Sequence, residues 1–127
     1  MDLTVDFCGI SLKNPLIAGS ADYSRSIPQF RKVVESGVSS VVMKSVTDVA
    51  SLQSQNITEF LFLNTELEPW KFGQKVGGFY SRGGAMLSES EWEKIVVEEL
   101  RISEANDVLL IGNIAASSLE SWARMAK

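Results

Sequence analysis

The hydrophobic positions of this chain change their period along its length, and the changes predict alternating strands and helices. Residues 5–7 and 10–12 alternate apolar with polar side chains, which predicts a small N-terminal β-hairpin. Short apolar runs at residues 16–18, 39–43 and 108–111 are typical of the buried strands of a parallel sheet. Asn14-Pro15 is a turn signal directly before the first of these runs.

Segments whose apolar residues recur at helical spacing lie between these runs. Ser26 is a suitable N-cap, and Pro28 is tolerated in a first helical turn because its missing N–H would have no partner there. Gly37 supplies a C-terminal stop. The apolar side of this predicted helix comprises Phe30, Val33 and Val34.

The helices predicted after residue 84 both begin at apparent capping boxes. Ser88 with Glu91 forms the first box and Ser117 with Glu120 the second. The buried side of the first helix is predicted to comprise Trp92, Ile95, Val96 and Leu100. That of the second is predicted to comprise Leu119, Trp122, Ala123 and Ala126.

A strand followed by a helix, repeated along the chain, implies an α/β fold with a parallel sheet and right-handed crossovers. Such a sheet suits either an open doubly wound fold or the N-terminal portion of a TIM (β/α)8 barrel, which needs eight strands to close. We expect residues 1–127 to be a single partial domain, because the last helical pattern stops without a C-cap. Residues 47–84 are less regular, and the apolar, aperiodic stretch 57–67 predicts a structured excursion.

Composition narrows the class of protein. A net charge of −4 argues against a nucleic-acid partner, and no apolar run approaches the length of a membrane span. Cys8 is the only cysteine, which excludes an intrachain disulfide and fits a cytoplasmic location; we expect it to be a small packed thiol. The chain has no histidine, so the commonest metal ligand and general base is missing, and we expect no metal site.

Ligands of parallel α/β folds bind where the strands end at their carboxyl side. That rule selects Gly19 and Ser20 after the first strand, Lys44 and Ser45 after the second, and Gly112-Asn113 after the third. Lys44 would place a cation where an anionic substrate, or negative charge developing on a cofactor, can be stabilised. The alternative interpretation is that Lys44 merely ends a strand in water.

A glycine-rich segment, residues 77–84, is the second candidate. Arg82 within it offers a fork of donors that suits a carboxylate. The segment matches neither the P-loop nor the dinucleotide-binding fingerprint. A flexible surface loop without function is the alternative interpretation.

These segments, in this order, resemble the N-terminal part of dihydroorotate dehydrogenases. Residues 7–16 are similar to the family's opening hairpin and Asn-Pro turn, residues 17–21 and 41–47 to its first two strand ends, and residues 111–115 to its third. The resemblance implies an FMN-dependent β/α-barrel oxidoreductase that oxidises a dihydropyrimidine-like ring, a reaction of pyrimidine metabolism. It implies cofactor contacts from Gly19, Ser20, Lys44, Ser45 and Asn113.

The resemblance also implies substrate contacts from Lys44, Ser81, Arg82 and Gly84. Ser81 stands where the family has a pyrimidine-binding asparagine, which weakens the case for dihydroorotate as the small-molecule substrate. The family's catalytic base and phosphate site are expected beyond Lys127, so we expect these 127 residues alone to be inactive.

Two other functions remain open. One is the flavin domain of a dihydropyrimidine dehydrogenase-like enzyme, and the other is a non-catalytic half-barrel that needs a partner chain. The full-length protein is compatible with a homodimer.

Overall fold

The computed structural model describes residues 2–53, 59–82 and 84–127, with the backbone alone described at residues 59, 81 and 82. The fold is mixed α/β, as the sequence predicts. The strands are β1 (Val5–Phe7), β2 (Ile10–Leu12), β3 (Ile17–Ala18), β4 (Ser40–Val42), β5 (Val46–Thr47), β6 (Glu59–Asn64), β7 (Val76–Arg82), β8 (Leu109–Ile111) and β9 (Ile114–Ala115). The helices are a 3₁₀ helix (Asp22–Arg25), α1 (Ile27–Glu35), α2 (Ala50–Gln53), α3 (Glu89–Ala105) and α4 (Leu119–Met125).

The predicted N-terminal hairpin is present as the antiparallel pair β1–β2. Its turn places Cys8 at a φ of 55° and Gly9 at a φ of 82°. The thiol of Cys8 is exposed, so the prediction of a packed cysteine was wrong. The turn geometry explains the error, because a residue at the tip of a two-residue connection points away from any core.

The central sheet is parallel, with the strand order β3-β4-β8, and it contains the predicted apolar runs. One face carries Val41, which packs with residues of α1 and α3 in a core that comprises Phe30, Val34, Val41, Ile102 and Val108. Successive side chains of a strand point to opposite faces, so Ser40 and Val42 lie on the other face. Both helices therefore cover the same side of the sheet, an arrangement shared by a barrel wall and by one half of a doubly wound sheet.

The helix boundaries agree with the sequence signals in α1 and α3. Gly37, at a φ of 93°, follows the end of α1, and Ser26 is its N-cap position, although its side chain makes no capping hydrogen bond. The capping box of Ser88 and Glu91 is complete at the start of α3. The second predicted box was wrong: Ser118 caps α4 instead.

The N-cap of α4 is displaced because Ser117 has another partner. Its hydroxyl donates to Oδ2 of Asp48 at 2.7 Å, and its amide donates to Oδ1 at 2.9 Å. Ser118 then accepts from the amide of Ser121 at 3.1 Å. Hydrogen bonds from Ser121 and Ser117 lower the pKa of the Asp48 carboxyl to about 2. The loop after β5 is thus tied to the start of α4.

The predicted apolar stripes of α3 and α4 were wrong in part. Leu119 is 89% exposed and Trp122 is 45% exposed, so α4 buries little of its apolar side. In α3, Leu100 is 46% exposed, whereas the fully buried positions are Glu99, Ile102 and Ser103. In α3 the predicted side was correct apart from Leu100, because Trp92, Ile95 and Val96 are partly buried on the same side as the buried positions; in α4 the predicted side does not pack.

Residues 59–82 contain an antiparallel ribbon, β6–β7, which corrects the interpretation of the glycine-rich segment as a loop. Residues 57, 58 and 83 of the two segments discussed above lie outside the described residues. An added β-carbon at Gly77 would overlap the carbonyl oxygen of Asn64, so glycine is required where the strands approach closely. Phe79 stacks on Phe60 and meets Phe62, each at a centroid distance of 5.7 Å, and all of these rings remain exposed.

The chain exposes more surface than a compact monomer of its mass. Its accessible surface is 8470 Å² at 14.0 kDa, whereas the average scaling for folded monomers gives about 6,700 Å². The exposed aromatic rings of the β6–β7 ribbon and Ile17 at the edge of the central sheet, which is 40% exposed, contribute to the excess. Over the described ranges, no helix is both long and apolar enough to cross a bilayer.

Glu99 is an unusual member of the core. It is fully buried, and neither carboxyl oxygen has a hydrogen-bond partner within the described part of the chain. Burial in an apolar environment disfavours the ionised carboxylate, and it raises the pKa of Glu99 to about 8. The protonated acid is therefore the form that the folded chain stabilises near neutral pH.

This buried acid predicts that the free energy of unfolding decreases as pH rises. Between about pH 4.5 and pH 8 the unfolded chain releases the Glu99 proton while the folded chain retains it, so rising pH favours unfolding. We expect a loss on the order of 3 kcal/mol across that window. Urea unfolding at several pH values measures this loss.

Glu99→Gln should flatten the dependence of the unfolding free energy on pH. Glu93→Gln, at an exposed position of the same helix, should preserve that dependence. The same pH dependence in all variants would contradict the assignment to Glu99.

Candidate functional site

Two neighbouring strands of the sheet are interrupted at the same level. β4 resumes as β5 after Lys44 and Ser45, and β8 resumes as β9 after Gly112 and Asn113. The pairing continues across the break, because Met43 N donates to Ile111 O and Val46 N donates to Asn113 O, each at 2.9 Å. This aligned break, residues 44–45 and 112–113, lies where the carboxyl ends of β4 and β8 meet.

Lys44 occupies the break with its side chain only 11% exposed. Its ammonium lies 2.9 Å from Oδ1 of Asp22, which is 68% exposed on the outer side of the contact. A β-carbon added at Gly84 would lie 2.7 Å from the Lys44 Nζ atom, and Gly84 has a φ of 88°. The ammonium is therefore enclosed between a carboxylate and a backbone segment that has no room for a side chain. This geometry does not fit a lysine that merely ends a strand in water.

The 3₁₀ helix holds this region together. The hydroxyl of Ser24, which is fully buried, accepts a hydrogen bond from the amide of Lys44 at 2.5 Å. The Arg25 guanidinium donates to the carbonyl oxygens of Ala85 and, at 3.3 Å, Met86. One short helix therefore attaches both the end of β4 and the segment that follows Gly84.

Tyr23 adds a contact from the same helix to the ends of β3 and β4. Its hydroxyl lies within hydrogen-bond distance of the carbonyl oxygens of Ala18 at 3.0 Å, Val42 at 3.2 Å, and Gly19. Burial, with a smaller contribution from the charge of Glu99, raises the pKa of the Tyr23 phenol. The phenol is thus held neutral against these carbonyls, where it can donate.

The structure brings several sequence-predicted residues together. Asn113 donates from Nδ2 to the hydroxyl of Ser45 at 2.9 Å, which joins the two interrupted strands through their side chains. Gly19 and Ser20 are exposed at the end of β3, next to the Tyr23 contact. Lys44 and Gly84 are also adjacent, as described above.

For two predicted substrate-binding residues, Ser81 and Arg82, the structure describes the backbone alone. The backbones of Ser81 and Arg82 belong to β7, opposite Phe60 and Glu59 of β6. Their side chains lie outside the described part of the structure. The predicted substrate contacts of Ser81 and Arg82 therefore remain predictions, whereas Gly84 is beside Lys44.

An open pocket of about 570 Å³ adjoins the aligned break. Gly112 and Asn113 form one wall, and the start of α3 and the end of α4 form the others. The indole nitrogen of Trp92, in the pocket lining, is buried and has no hydrogen-bond partner among the described residues. The half of the break formed by Gly112 and Asn113 therefore opens onto a space large enough for a small molecule, and Lys44 and Ser45 do not line that space.

Sequence reasoning missed the residues that organise the site. These residues form one 3₁₀ turn, Asp22–Arg25, which has no periodic pattern of apolar positions. The turn follows the end of β3, where sequence reasoning selected only Gly19 and Ser20. The available signal was their density of hydrogen-bonding side chains between a strand and a proline-containing helix start. Comparison with protein-family profiles finds no match for this chain, and comparison with curated protein sequences finds none either.

The Ser24 contact predicts that removal of its hydroxyl lowers the free energy of unfolding. Ser24→Ala leaves the buried amide of Lys44 without its acceptor, so we expect the free energy of unfolding to fall by about 1–3 kcal/mol. Ser20→Ala, at an exposed position of the same edge, should change it by less than about 0.5 kcal/mol. Urea denaturation followed by tryptophan fluorescence compares the two. Equal stability of both variants would show that the 3₁₀ helix does not hold the end of β4.

Proposed function

We propose that this chain supplies the first strands and the ligand-facing edge of an FMN-dependent β/α-barrel oxidoreductase similar to dihydroorotate dehydrogenases. The observation that carries the proposal is the aligned break at the carboxyl edge of a parallel sheet, where Asn113 is hydrogen-bonded to Ser45 and Lys44 directly precedes Ser45. In parallel α/β folds this edge is the usual place for ligands. The one-sided packing of α1 and α3 is compatible with a barrel wall.

The open backbone at the same edge fits a flat ring. A β-carbon added at Gly19 or Gly112 would meet no atom within 4 Å, so a planar ligand can approach the ends of β3 and β8 closely. Lys44 supplies a positive charge next to that opening, and the Ser45–Asn113 pair supplies a hydroxyl and an amide. The flavin would be held by the five residues at this edge: Gly19, Ser20, Lys44, Ser45 and Asn113.

The chain's own contribution to such chemistry is position and charge. A bound flavin would accept a hydride from the substrate ring. Lys44 would stabilise negative charge at the edge of either ring, because an ammonium in a partly buried site is screened weakly by water. The Ser24 contact fixes the backbone of Lys44, and the Tyr23 contacts fix the strand ends beside it.

The large exposed surface favours one alternative. The chain exposes about 1,800 Å² more than a compact monomer of its mass, which is about twice the roughly 800 Å² that each partner contributes to a standard protein interface. A half-barrel that acts only with a partner chain would also account for this excess. A flavin domain of the dihydropyrimidine dehydrogenase type would use the same edge. The position of Asp22 beside Lys44 helps to decide between that enzyme and a dihydroorotate dehydrogenase, because it affects which ligands the site accepts.

Flavin binding by the chain itself tests the proposal. We expect FMN to bind weakly, because the family's phosphate site is not expected within these residues. Lys44→Ala should weaken that binding by about tenfold or more, since one charge-assisted hydrogen bond contributes about 1.5–3 kcal/mol. Fluorescence anisotropy of FMN during titration with protein measures both affinities.

Lys32→Ala is the matched control, because Lys32 is exposed on α1 and the substitution changes the net charge equally. It should bind FMN as the wild type does. No binding by the wild type, or equal binding by Lys44→Ala, would refute a flavin site at the aligned break.

A further inference from the structure

We infer that Asp22 is a specificity-determining residue, an internal carboxylate that disfavours anionic ligands at Lys44 and directs the site toward neutral, hydrogen-bonding rings. The inference rests on the proposed function, since it concerns the ligand that the same edge accepts. It begins from the contact of the Asp22 carboxylate with the Lys44 ammonium at 2.9 Å.

The carboxylate occupies the position that an anionic ligand would otherwise take. Lys44 is 11% exposed and Gly84 closes another side of its ammonium, so few directions of approach remain. Asp22 is 68% exposed, which places it at the rim from which a ligand would enter. A ligand carboxylate that reaches Lys44 must therefore displace Asp22 or lie beside a like charge.

The second cation nearby does not reverse this effect. Arg25 Nε lies 3.5 Å from the same Asp22 oxygen, but the guanidinium is oriented by the carbonyl oxygens of Ala85 and Met86. One of its terminal nitrogens is thus used for the backbone of the segment after Gly84, and its Nε has no hydrogen-bond partner among the described residues. The Asp22 oxygen lies nearer to the Lys44 ammonium, at 2.9 Å, so among the described side chains Asp22 chiefly offsets the charge of Lys44.

A neutral ring has no such conflict. An ammonium has three donors, and the contact with Asp22 uses one of them, so Lys44 retains donors for a ring carbonyl. A carbonyl next to Asp22 brings no net charge, and a ring N–H could donate to the same carboxylate. The pair thus suits a ring that presents a donor beside an acceptor, as a cyclic amide does.

Uracil and orotate test this inference because they share a ring and differ by one carboxylate. The readout is the ε-methylene NMR signal of Lys44 in ¹³C-lysine-labelled protein, assigned with Lys44→Arg and followed during titration with each compound. We expect the wild type to bind uracil at least as tightly as orotate. Asp22→Asn should raise the affinity for orotate at least tenfold and change that for uracil less than twofold.

Two variants separate a local effect from net charge. Glu35→Gln changes the net charge by the same amount at an exposed position of α1, and it should leave both affinities unchanged. Asp22→Asn combined with Lys44→Met lacks the labelled reporter, so its affinities are measured by isothermal titration calorimetry alongside those of Asp22→Asn; it should lose the gain for orotate, because the gain depends on the lysine.

The inference is overturned if the wild type prefers orotate, if Asp22→Asn leaves the ratio of affinities unchanged, or if neither compound perturbs Lys44 in either protein. The FMN titration is a separate measurement. Failure of flavin binding with the expected uracil and orotate result would refute the cofactor and leave the role of Asp22 intact.

Discussion

The 3₁₀ helix Asp22–Arg25 is the constraint on which the candidate site depends. Each of its residues attaches a different part of the edge: Asp22 contacts the Lys44 side chain, Ser24 its amide, Tyr23 the strand-end carbonyls and Arg25 the segment after Gly84. Without these contacts, the ends of β3 and β4 would be short strands with unpaired backbone groups. The helix thereby fixes the ends of β3 and β4 and the segment after Gly84 relative to one another.

The chain buries polar side chains in two ways, with a hydrogen-bond partner at the sheet edge and without one in the core. At the edge, the buried hydroxyl of Ser24 has a partner and fixes a backbone position. In the core, Glu99 is buried without a partner, and only its protonated form is compatible with that location. The exposed rings of the β6–β7 ribbon add apolar surface that the described part of the chain does not cover.

The sequence predicted the elements better than the contacts between them. Short apolar runs identified β3, β4 and β8, and the Ser88–Glu91 pair identified the start of α3, because these signals are local. The stripe of α4 and the cap at Ser117 failed, because packing against the rest of the fold and the competing partner Asp48 decide them. The glycine-rich segment was read as a loop, since glycine marks both turns and closely approaching strands.

At the candidate site, too, the sequence predicted local features better than the contacts that depend on the rest of the fold. The rule that ligands bind at carboxyl strand ends selected Lys44, Ser45 and Asn113, and the structure joins Ser45 to Asn113 and places Lys44 at the same break. It could not select Asp22 or Ser24, whose importance depends on the path of the chain after β3. The alignment of the two strand breaks was also beyond sequence reasoning, because it depends on the register between β4 and β8.

The central claim is that the carboxyl edge of the parallel sheet is the flavin-binding surface. Backbone amide NMR of the isotopically labelled chain during titration with FMN tests this claim most directly. The account predicts that the largest shifts occur at the ends of β3, β4 and β8, namely at Gly19, Ser20, Ser45, Gly112 and Asn113. Shifts concentrated in the exposed ribbon at residues 59–82, or around the β1–β2 hairpin at the opposite end of the sheet, would contradict it.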